Sequence, residues 1–149
     1  EKQPDLIQKL VFVGPKIQHH ELDPVLNDWV KMNNDKLIFL PNISEIELQS
    51  LYKHASLLIF PSFIEGYGWP PLEAHANSCT SVTTKTGAIF EILKDEAFYV
   101  NPNDQKELNT AVHENLMNSK KNFSNSVPTN EKCSRDYVIL YEEIIKSKL

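Results

Sequence analysis

The sequence predicts a doubly wound α/β domain, in which helices cover both faces of a parallel, Rossmann-like β-sheet. Two observations lead to this prediction. Short apolar runs alternate along the chain with longer amphipathic segments, which is the order of strands and crossover helices in a parallel sheet. The chain also has 149 residues, 41% of them hydrophobic and 23% charged, so its size and composition fit one globular domain with a core.

Five short apolar runs are predicted to be strands. They are rich in β-branched, aromatic and other large apolar residues, and breakers or polar residues stand at their ends. The first run, for example, is closed by Gly14 and Pro15. In chain order the predicted strands are residues 9–14, 36–40, 56–61, 80–84 and 96–102.

The segments between these runs are predicted to be helices. In residues 22–33 apolar side chains recur at nearly helical spacing, and Trp29 is expected to pack on that face. Residues 44–55 open with Ser44 and have Glu47 three positions later, which is the pattern of a capping box. This helix is expected to bury Ile46, Leu48, Leu51 and Tyr52. Further helices are predicted after Pro70, at 88–93, from the cap Asp104 to about residue 117, and at about 131–146.

The segment PSFIEGYGWPPLEAHA, residues 61–76, follows the third predicted strand and concentrates glycine and proline before a helix. Ligands of open α/β sheets bind beyond the carboxyl ends of the strands, where such loops lie. Gly66 and Gly68 can adopt positive φ and let a ligand approach the backbone. The N-terminus of the following helix favours an anion such as phosphate. The alternative is an ordinary strand-to-helix turn, with Glu65 solvated and Glu73 in the first helical turn.

The same segment resembles the signature of the family 4 retaining glycosyltransferases, in which two glutamates flank a Gly-aromatic-Gly sequence. The runs KLVFVG, TGAIFEIL and AFYVNPND, and the long segment of residues 36–62, also follow the order of that family's C-terminal, donor-binding domain. The resemblance extends over nearly the whole chain. It implies that residues 1–149 are one half of a GT-B fold.

The resemblance also implies a role for each residue of the segment. Glu65 would be the catalytic residue, close to the reacting carbon of the donor sugar, and Glu73 would accept hydrogen bonds from the ribose diol. The backbone of Gly66, Tyr67, Gly68 and Trp69 would contact the sugar and the pyrophosphate. The nucleobase would lie against Asn42, Ile43 and Ser44.

The implied activity is transfer of a hexose from a nucleotide sugar to a glycan or lipid-linked acceptor, with retention of the anomeric configuration. No metal or other cofactor is implied, since the nucleotide sugar is itself the donor substrate. The implied setting is polysaccharide biosynthesis in the cytoplasm, at the inner face of the cell membrane for the full-length protein. Two alternatives remain open: a nucleotide-sugar binding module without turnover, and a GT-B-like epimerase.

Departures from the family pattern lead to further expectations. Ser78, Thr80, Ala88 and Phe90 stand where the family commonly has glycine or proline. The family's pyrophosphate-binding Arg and Lys and its acceptor-binding N-terminal domain would lie upstream, so the chain is expected to be a fragment that is inactive by itself. A first strand and helix would also be missing. Residues 9–14 and 56–61 would then either pair directly or, as we favour, leave edges that cause self-association or poor stability.

Other features exclude function classes or add weak candidates. The net charge of −5 argues against nucleic-acid binding, and no apolar run is long enough to span a bilayer. Cys79 and Cys133 are isolated and predicted to be reduced, and the five histidines, His75 included, lack metal-ligand spacing. Lys16 and Lys85 follow strands and are possible phosphate ligands.

Overall fold

The structure, a computed structural model, describes residues 9–14 and 24–117, together with the single positions 132, 134, 135, 138, 139 and 143. In this part of the chain the strands are β1 (Leu10–Val13), β2 (Leu37–Leu40), β3 (Leu58–Phe60), β4 (Ser81–Thr83) and β5 (Phe98–Tyr99). The helices are α1 (Pro24–Met32), α2 (Glu45–His54), α3 (Trp69–Ala76), α4 (Ile89–Leu93) and α5 (Gln105–Met117). A 3₁₀ turn, Lys94–Glu96, follows α4. The predicted helix at 131–146 lies largely outside the described residues.

The strands pair in parallel and form two sheets. β1 pairs with β2, with Leu10 opposite Leu37, and β4 lies between β3 and β5. Within residues 9–14 and 24–117 no ladder joins β1 to β3. The two sheets match the two flanks of the strand order 3-2-1-4-5-6, in which one strand separates the flanks. The predicted α/β class is confirmed, and direct pairing of residues 9–14 with 56–61 does not occur.

The best-covered strand is β4. Ser81, Val82 and Thr83 are all buried, and side chains alternate between the faces of a strand, so both faces of β4 are covered. Helix α3 contacts β3 and β4, and α5 also contacts β4. β1 differs, because the consecutive residues Val11, Phe12 and Val13 are all exposed.

Helix α3 contributes to both hydrophobic clusters of the described core. In one cluster Leu72 packs with Ile89, Leu93 and Ala97, which join α3 to α4 and the turn after it. In the other, Ala74 packs with Tyr52 of α2 and the buried thiol of Cys79. The helix that follows the glycine loop is therefore fixed from two directions.

The capping box of α2 is confirmed. The Ser44 hydroxyl accepts a hydrogen bond from the Glu47 N–H at 3.3 Å, and the Glu47 carboxylate accepts one from the Ser44 N–H at 2.7 Å. Helix α5 has a side-chain cap from Asp104, whose carboxylate accepts the N–H groups of Lys106 and Glu107. The cap is not reciprocal, since the Glu107 carboxylate accepts the Asn101 N–H.

Two packing predictions for helical residues are wrong. Ile46 is 80% exposed. At about 100° per residue, it lies on the side of α2 opposite Leu48 and Tyr52, which face the protein. Trp29 is 47% exposed, whereas its neighbour Val30 is buried, so the covered face of α1 includes Val30 and only part of Trp29.

The stability of α2 is expected to depend on pH through Glu47. Its hydrogen bonds with the backbone and hydroxyl of Ser44 hold the pKa of the carboxyl below its ordinary value of 4.5. A lowered folded-state pKa means that the stabilisation is complete above the ordinary pKa and is lost as pH falls through the lower value. We expect Glu47→Gln to increase opening of α2 at neutral pH, and the difference from wild type to vanish in acid.

Amide hydrogen exchange of α2, corrected for intrinsic exchange rates, measures this effect. Glu45→Gln removes a charge from the same turn without touching the Ser44 cap and is the control. A difference between wild type and Glu47→Gln that persists unchanged at acid pH would contradict the prediction.

Candidate functional site

The candidate site lies at the carboxyl ends of the strands, in the loops that lead into α2, α3 and α4. Two of these loops, residues 61–68 after β3 and 84–88 after β4, follow neighbouring strands of one ladder. The carboxyl ends of parallel strands meet at one edge of the sheet, so these loops are adjacent. The third loop, residues 41–44, follows β2, and α2 contacts α3 directly.

Hydrogen bonds tie the β3–α3 loop to the β4–α4 loop at two points. The N–H of Ala88 donates to the Gly66 carbonyl at 3.3 Å. The Thr84 hydroxyl donates to the Ser62 carbonyl at 2.6 Å and lies 3.1 Å from the Thr86 hydroxyl. The backbone of residues 62–66 is thereby held against the following loop.

Two glycines make this contact possible. Gly68 has φ of 82°, and a Cβ there would overlap the Ile89 side chain. Gly87 has φ of 55°, and a Cβ there would overlap the backbone carbonyls of Glu65 and Gly66. Both positions therefore require glycine for conformation and for space.

Gly66 has a different reason for lacking a side chain. Gly66 does not adopt positive φ. The expectation of positive φ is therefore confirmed at Gly68 and wrong at Gly66. A Cβ at Gly66 would meet no atom within 4 Å. Its carbonyl is fixed by Ala88, while the space beside it is open. The geometry at Gly66 accordingly leaves room for a ligand to approach the backbone.

The N-terminus of α3 offers fewer donors than the sequence suggested. Gly68 occupies the N-cap position without a side-chain cap, and Trp69 begins the helix. Pro70 and Pro71 follow, as predicted for the first turn, but proline has no N–H. In contrast, the N–H groups of residues 66–68 donate to no other described residue. Backbone donors for an anion therefore come mainly from the loop, and α3 adds its dipole.

The two glutamates lie on either side of this loop. Glu65 is half-buried and immediately precedes the fixed carbonyl of Gly66. Glu73 is also half-buried and lies beyond the first turn of α3, so the alternative that it merely compensates the helix dipole in the first turn is wrong. The Tyr52 hydroxyl donates to Oε2 of Glu73 at 3.2 Å.

The β3–α3 loop and the first residue of α3 carry bulky apolar side chains, and their exposure was not predicted from the sequence. The rings of Tyr67 and Trp69 are in contact, with centroids 4.7 Å apart and an interplanar angle of 43°. Phe63, Ile64 and Trp69 are exposed. The feature of the sequence that could have predicted this exposure is the presence of bulky apolar residues in a loop that contains glycine and is followed by prolines.

Lys85 lies over two aromatic rings. Its Nζ is 4.5 Å from the centroid of Phe90 and 5.5 Å from that of Tyr99, and the two rings meet edge to face. Burial, with a smaller effect of Asp95, raises the pKa of Tyr99 to about 12. Phe90, a departure from the family pattern, thus provides a surface for the Lys85 ammonium. The role of Lys85 toward phosphate stays a prediction, and Lys16 lies outside the described residues.

The segment predicted to hold the nucleobase divides into two parts. The Ser44 N–H and hydroxyl are engaged with Glu47, and its carbonyl accepts the Leu48 N–H. Asn42 is exposed and Ile43 half-buried just before this cap. Asn42 and Ile43 are therefore better placed than Ser44 to offer polar groups to a base. The base-binding roles of all three residues stay predictions.

The remaining polar candidates contribute little to the site. His75 is buried in α3, whereas His54 contacts the Ser50 carbonyl through Nδ1 at 2.7 Å. In the part of the chain that the structure describes, no three His, Cys, Asp or Glu side chains are grouped as metal ligands. Nor does any helix there have the length and apolarity needed to cross a membrane.

Comparison with known proteins gives consistent matches. The family model for "Glycosyl transferases group 1" matches residues 2–130. The O-antigen chain mannosyltransferase RfbU of Salmonella typhimurium is 38% identical over 95 residues, covering 62% of this chain and 27% of that protein. The serotype-specific mannosyltransferase WbdA of Escherichia coli is 27% identical over 103 residues, covering 68% and 13%. An uncharacterised glycosyltransferase of Methanocaldococcus jannaschii is 32% identical over 152 residues, covering 94% and 43%. The chain spans less than half the length of each of these relatives.

The three loop glycines are expected to respond differently to substitution by alanine. Left-handed backbone costs a residue with a Cβ roughly 1–2 kcal/mol. Gly68→Ala and Gly87→Ala should each lower the free energy of unfolding by at least about that amount, and Gly87→Ala by more because rigid carbonyls obstruct it. Gly66→Ala should change stability by less than about 0.5 kcal/mol.

Denaturant unfolding measures these differences, and nucleotide titration of Gly66→Ala tests whether the open space is used. We expect Gly66→Ala to fold normally and to bind nucleotide more weakly. Equal stability of all three variants would mean that the two loops separate easily, contrary to the contact described above.

Proposed function

This chain belongs to the group 1 glycosyltransferases, and from that premise we propose that it carries the donor site of a retaining sugar transferase. The reaction would move a hexose from a nucleotide sugar to a glycan or lipid-linked acceptor. The observation that carries the proposal is the loop of residues 66–68. Its carbonyl at Gly66 is held by Ala88, its N–H groups donate to no other described residue, and Glu65 and Glu73 flank it in the sequence.

The available N–H groups support a role in binding the diphosphate. The leaving nucleoside diphosphate gains negative charge as the bond to the sugar breaks. Donors that are already oriented toward such a charge lower the barrier, and one donor is typically worth ~3–4 kcal/mol. The fixed carbonyl of Gly66 keeps the loop in place, and the dipole of α3 adds to the positive potential.

The glutamates would contact hydroxyls and not phosphate oxygens, because a carboxylate repels a diphosphate. Glu65 would hydrogen-bond the donor sugar near its reacting carbon, and Glu73 the ribose diol. Each carboxylate has two acceptor oxygens suited to a pair of hydroxyls. No metal or cofactor takes part in this proposal.

The names of two relatives support a proposal for the donor sugar and for the class of product. RfbU and WbdA are both named as mannosyltransferases, and RfbU is assigned to the O-antigen chain. We therefore propose mannose as the transferred sugar and a surface polysaccharide as the product. The alternatives are a nucleotide-sugar binding module and an epimerase. Measurement of sugar transfer to an acceptor distinguishes the transferase from both.

The proposal includes parts of the protein beyond this chain. An N-terminal acceptor-binding domain of the same protein would close the site from the other side, and upstream Arg and Lys side chains would neutralise the diphosphate. The chain by itself would then not catalyse sugar transfer. The full-length enzyme would act in the cytoplasm, and contact with the inner face of the membrane would be made by the other domain.

The two glutamates are expected to have separable kinetic effects in the complete protein. Glu65→Ala should reduce the rate of transfer at saturating donor by at least about 100-fold, because the sugar loses its alignment. Glu73→Ala should mainly raise the KM for donor, by roughly 10- to 100-fold, through loss of hydrogen bonds to a charged acceptor. Transfer from GDP-, UDP- and ADP-sugars is the measurement.

Glu114→Ala is the matched control, since this exposed glutamate lies on α5, away from the loop. Near-normal kinetics for Glu65→Ala and Glu73→Ala would contradict the assignment. Tight donor binding without transfer by the complete wild-type protein would favour the binding module.

We also propose that the 149-residue chain associates with a second copy through the open edge of β1, the edge that pairs with no strand in the described part of the chain. The Leu10 N–H donates to the Lys36 carbonyl and the Gly14 N–H to the Leu40 carbonyl, so the even-numbered residues face β2. In a parallel ladder alternate residues face opposite neighbours, and Val11 and Val13 direct their backbone groups to the open edge. Val11, Phe12 and Val13 are also 37%, 39% and 48% exposed, so the edge is apolar.

Sedimentation velocity over a range of concentrations tests this association. Val11→Pro removes an N–H at the open edge without removing a β1–β2 hydrogen bond, and it should shift the chain toward monomer. Val13→Lys adds a charge to the same edge and should act in the same direction. Ile46→Lys changes an exposed residue of α2 and is the control. A wild-type chain that remains a stable, cooperatively melting monomer would contradict the proposal.

A further inference from the structure

The hydrogen bond between Tyr52 and Glu73 joins two elements of the site. Tyr52 lies on α2, which begins directly after residues 42–44, and Glu73 lies on α3, directly after the glycine loop. The two residues are 21 positions apart in sequence, and the hydroxyl oxygen of Tyr52 lies 3.2 Å from Oε2 of Glu73. Through this bond the segment predicted to hold the base is connected to the carboxylate predicted to hold the ribose.

The tyrosine is the rigid partner in this pair. Its side chain is 8% exposed and packs against Ala74 and Cys79, with Leu48 and Leu58 at the border of the cluster. A tyrosine ring has only two rotatable side-chain bonds, and packing fixes both. A glutamate has three, and Glu73 is only half-buried. The bond therefore restricts the carboxylate more than it restricts the ring.

The direction of the bond is also determined. Burial, together with the negative charge of Glu73, raises the pKa of Tyr52 above its ordinary value. The hydroxyl stays protonated at physiological pH, so it donates and the carboxylate accepts. Of the two carboxylate oxygens of Glu73, Oε2 accepts the hydrogen bond from Tyr52, and Oε1 accepts none from any described residue.

We propose that Tyr52 is a positioning residue: it holds Glu73 so that the carboxylate is oriented toward the ribose hydroxyls before the donor binds. This inference rests on the proposed function, because it assigns the carboxylate to the nucleotide. A side chain that is already oriented loses less conformational freedom on binding, and this increases affinity without any new contact with the ligand. Tyr52 itself does not touch the nucleotide.

Tyr52→Phe tests the proposal, because it removes the hydroxyl and keeps the packed ring. Calorimetric titration of the complete protein with GDP, UDP and ADP identifies the nucleotide that binds most tightly. The 2′,3′-dideoxy form of that nucleotide is then the second probe. Tyr52→Phe should weaken binding of the ribonucleotide by about three- to tenfold, equivalent to about 0.7–1.4 kcal/mol. Binding of the dideoxy nucleotide should change by less than about twofold, since it lacks the hydroxyls that Glu73 would hold.

Two further variants complete the design. In a Glu73→Ala background, Tyr52→Phe should have no additional effect, because the group that it positions is gone. Thr83→Val is the matched control, since the buried Thr83 hydroxyl has no hydrogen-bond partner among the described residues. Its removal should leave both affinities unchanged.

The outcomes separate the inference from the proposed function. Equal weakening of both probes by Tyr52→Phe, or persistence of the effect without Glu73, would show a general structural role and overturn the inference alone. An unchanged affinity for the ribonucleotide in Tyr52→Phe would overturn it as well. If the wild-type protein binds no nucleotide, or binds the ribo and dideoxy forms equally, the proposed ribose site fails and the inference with it.

Discussion

The close approach of the β3–α3 and β4–α4 loops is the constraint on which the candidate site depends. Two loops at the edge of a sheet can touch along their backbones only where no side chain intervenes, and the chain meets that requirement with Gly68 and Gly87. The carbonyl of Gly66 then accepts the Ala88 N–H, which holds the loop between the glutamates against the β4–α4 loop. The packing of Leu72 with Ile89 extends the same contact into the core. The stability of the fold and the shape of the candidate site therefore rest on the same few atoms.

Features encoded by neighbouring residues were predictable from the sequence. Ser44 and Glu47 form a capping box across three positions, and the alternation of strands and helices follows from runs of similar residues. The exposure of Ile46 was not predictable with equal ease, since an apolar residue in the first turn of a short helix can point either way until the neighbours of that helix are known.

Contacts between distant segments could not be derived in this way. The bond between Tyr52 and Glu73 depends on how α2 packs against α3, and no local pattern contains that information. The ammonium of Lys85 over Phe90 and Tyr99 is a similar case. The N–H donors at the start of α3 show a third limit of prediction from sequence. Pro70 and Pro71 correctly predicted that a helix begins there. The same prolines lack the N–H groups that the start of the helix was expected to offer to an anion. The positions of Glu65 and Glu73 on either side of the loop follow from the sequence, but their chemical roles rest on resemblance.

The division of the described strands into two sheets has a mechanical consequence. Residues 42–44 follow β2 and Glu65 follows β3, and in the described part of the chain no backbone ladder links these two strands. A hydrogen-bonded sheet resists shear, whereas packed helices can slide past each other by small amounts. The separation between the two loops is therefore governed by the side-chain contact of α2 with α3. If residues 42–44 hold a base, as predicted, a slight displacement of one helix would adjust the width of the site to a larger or smaller base, while the loop near Glu65 keeps its shape.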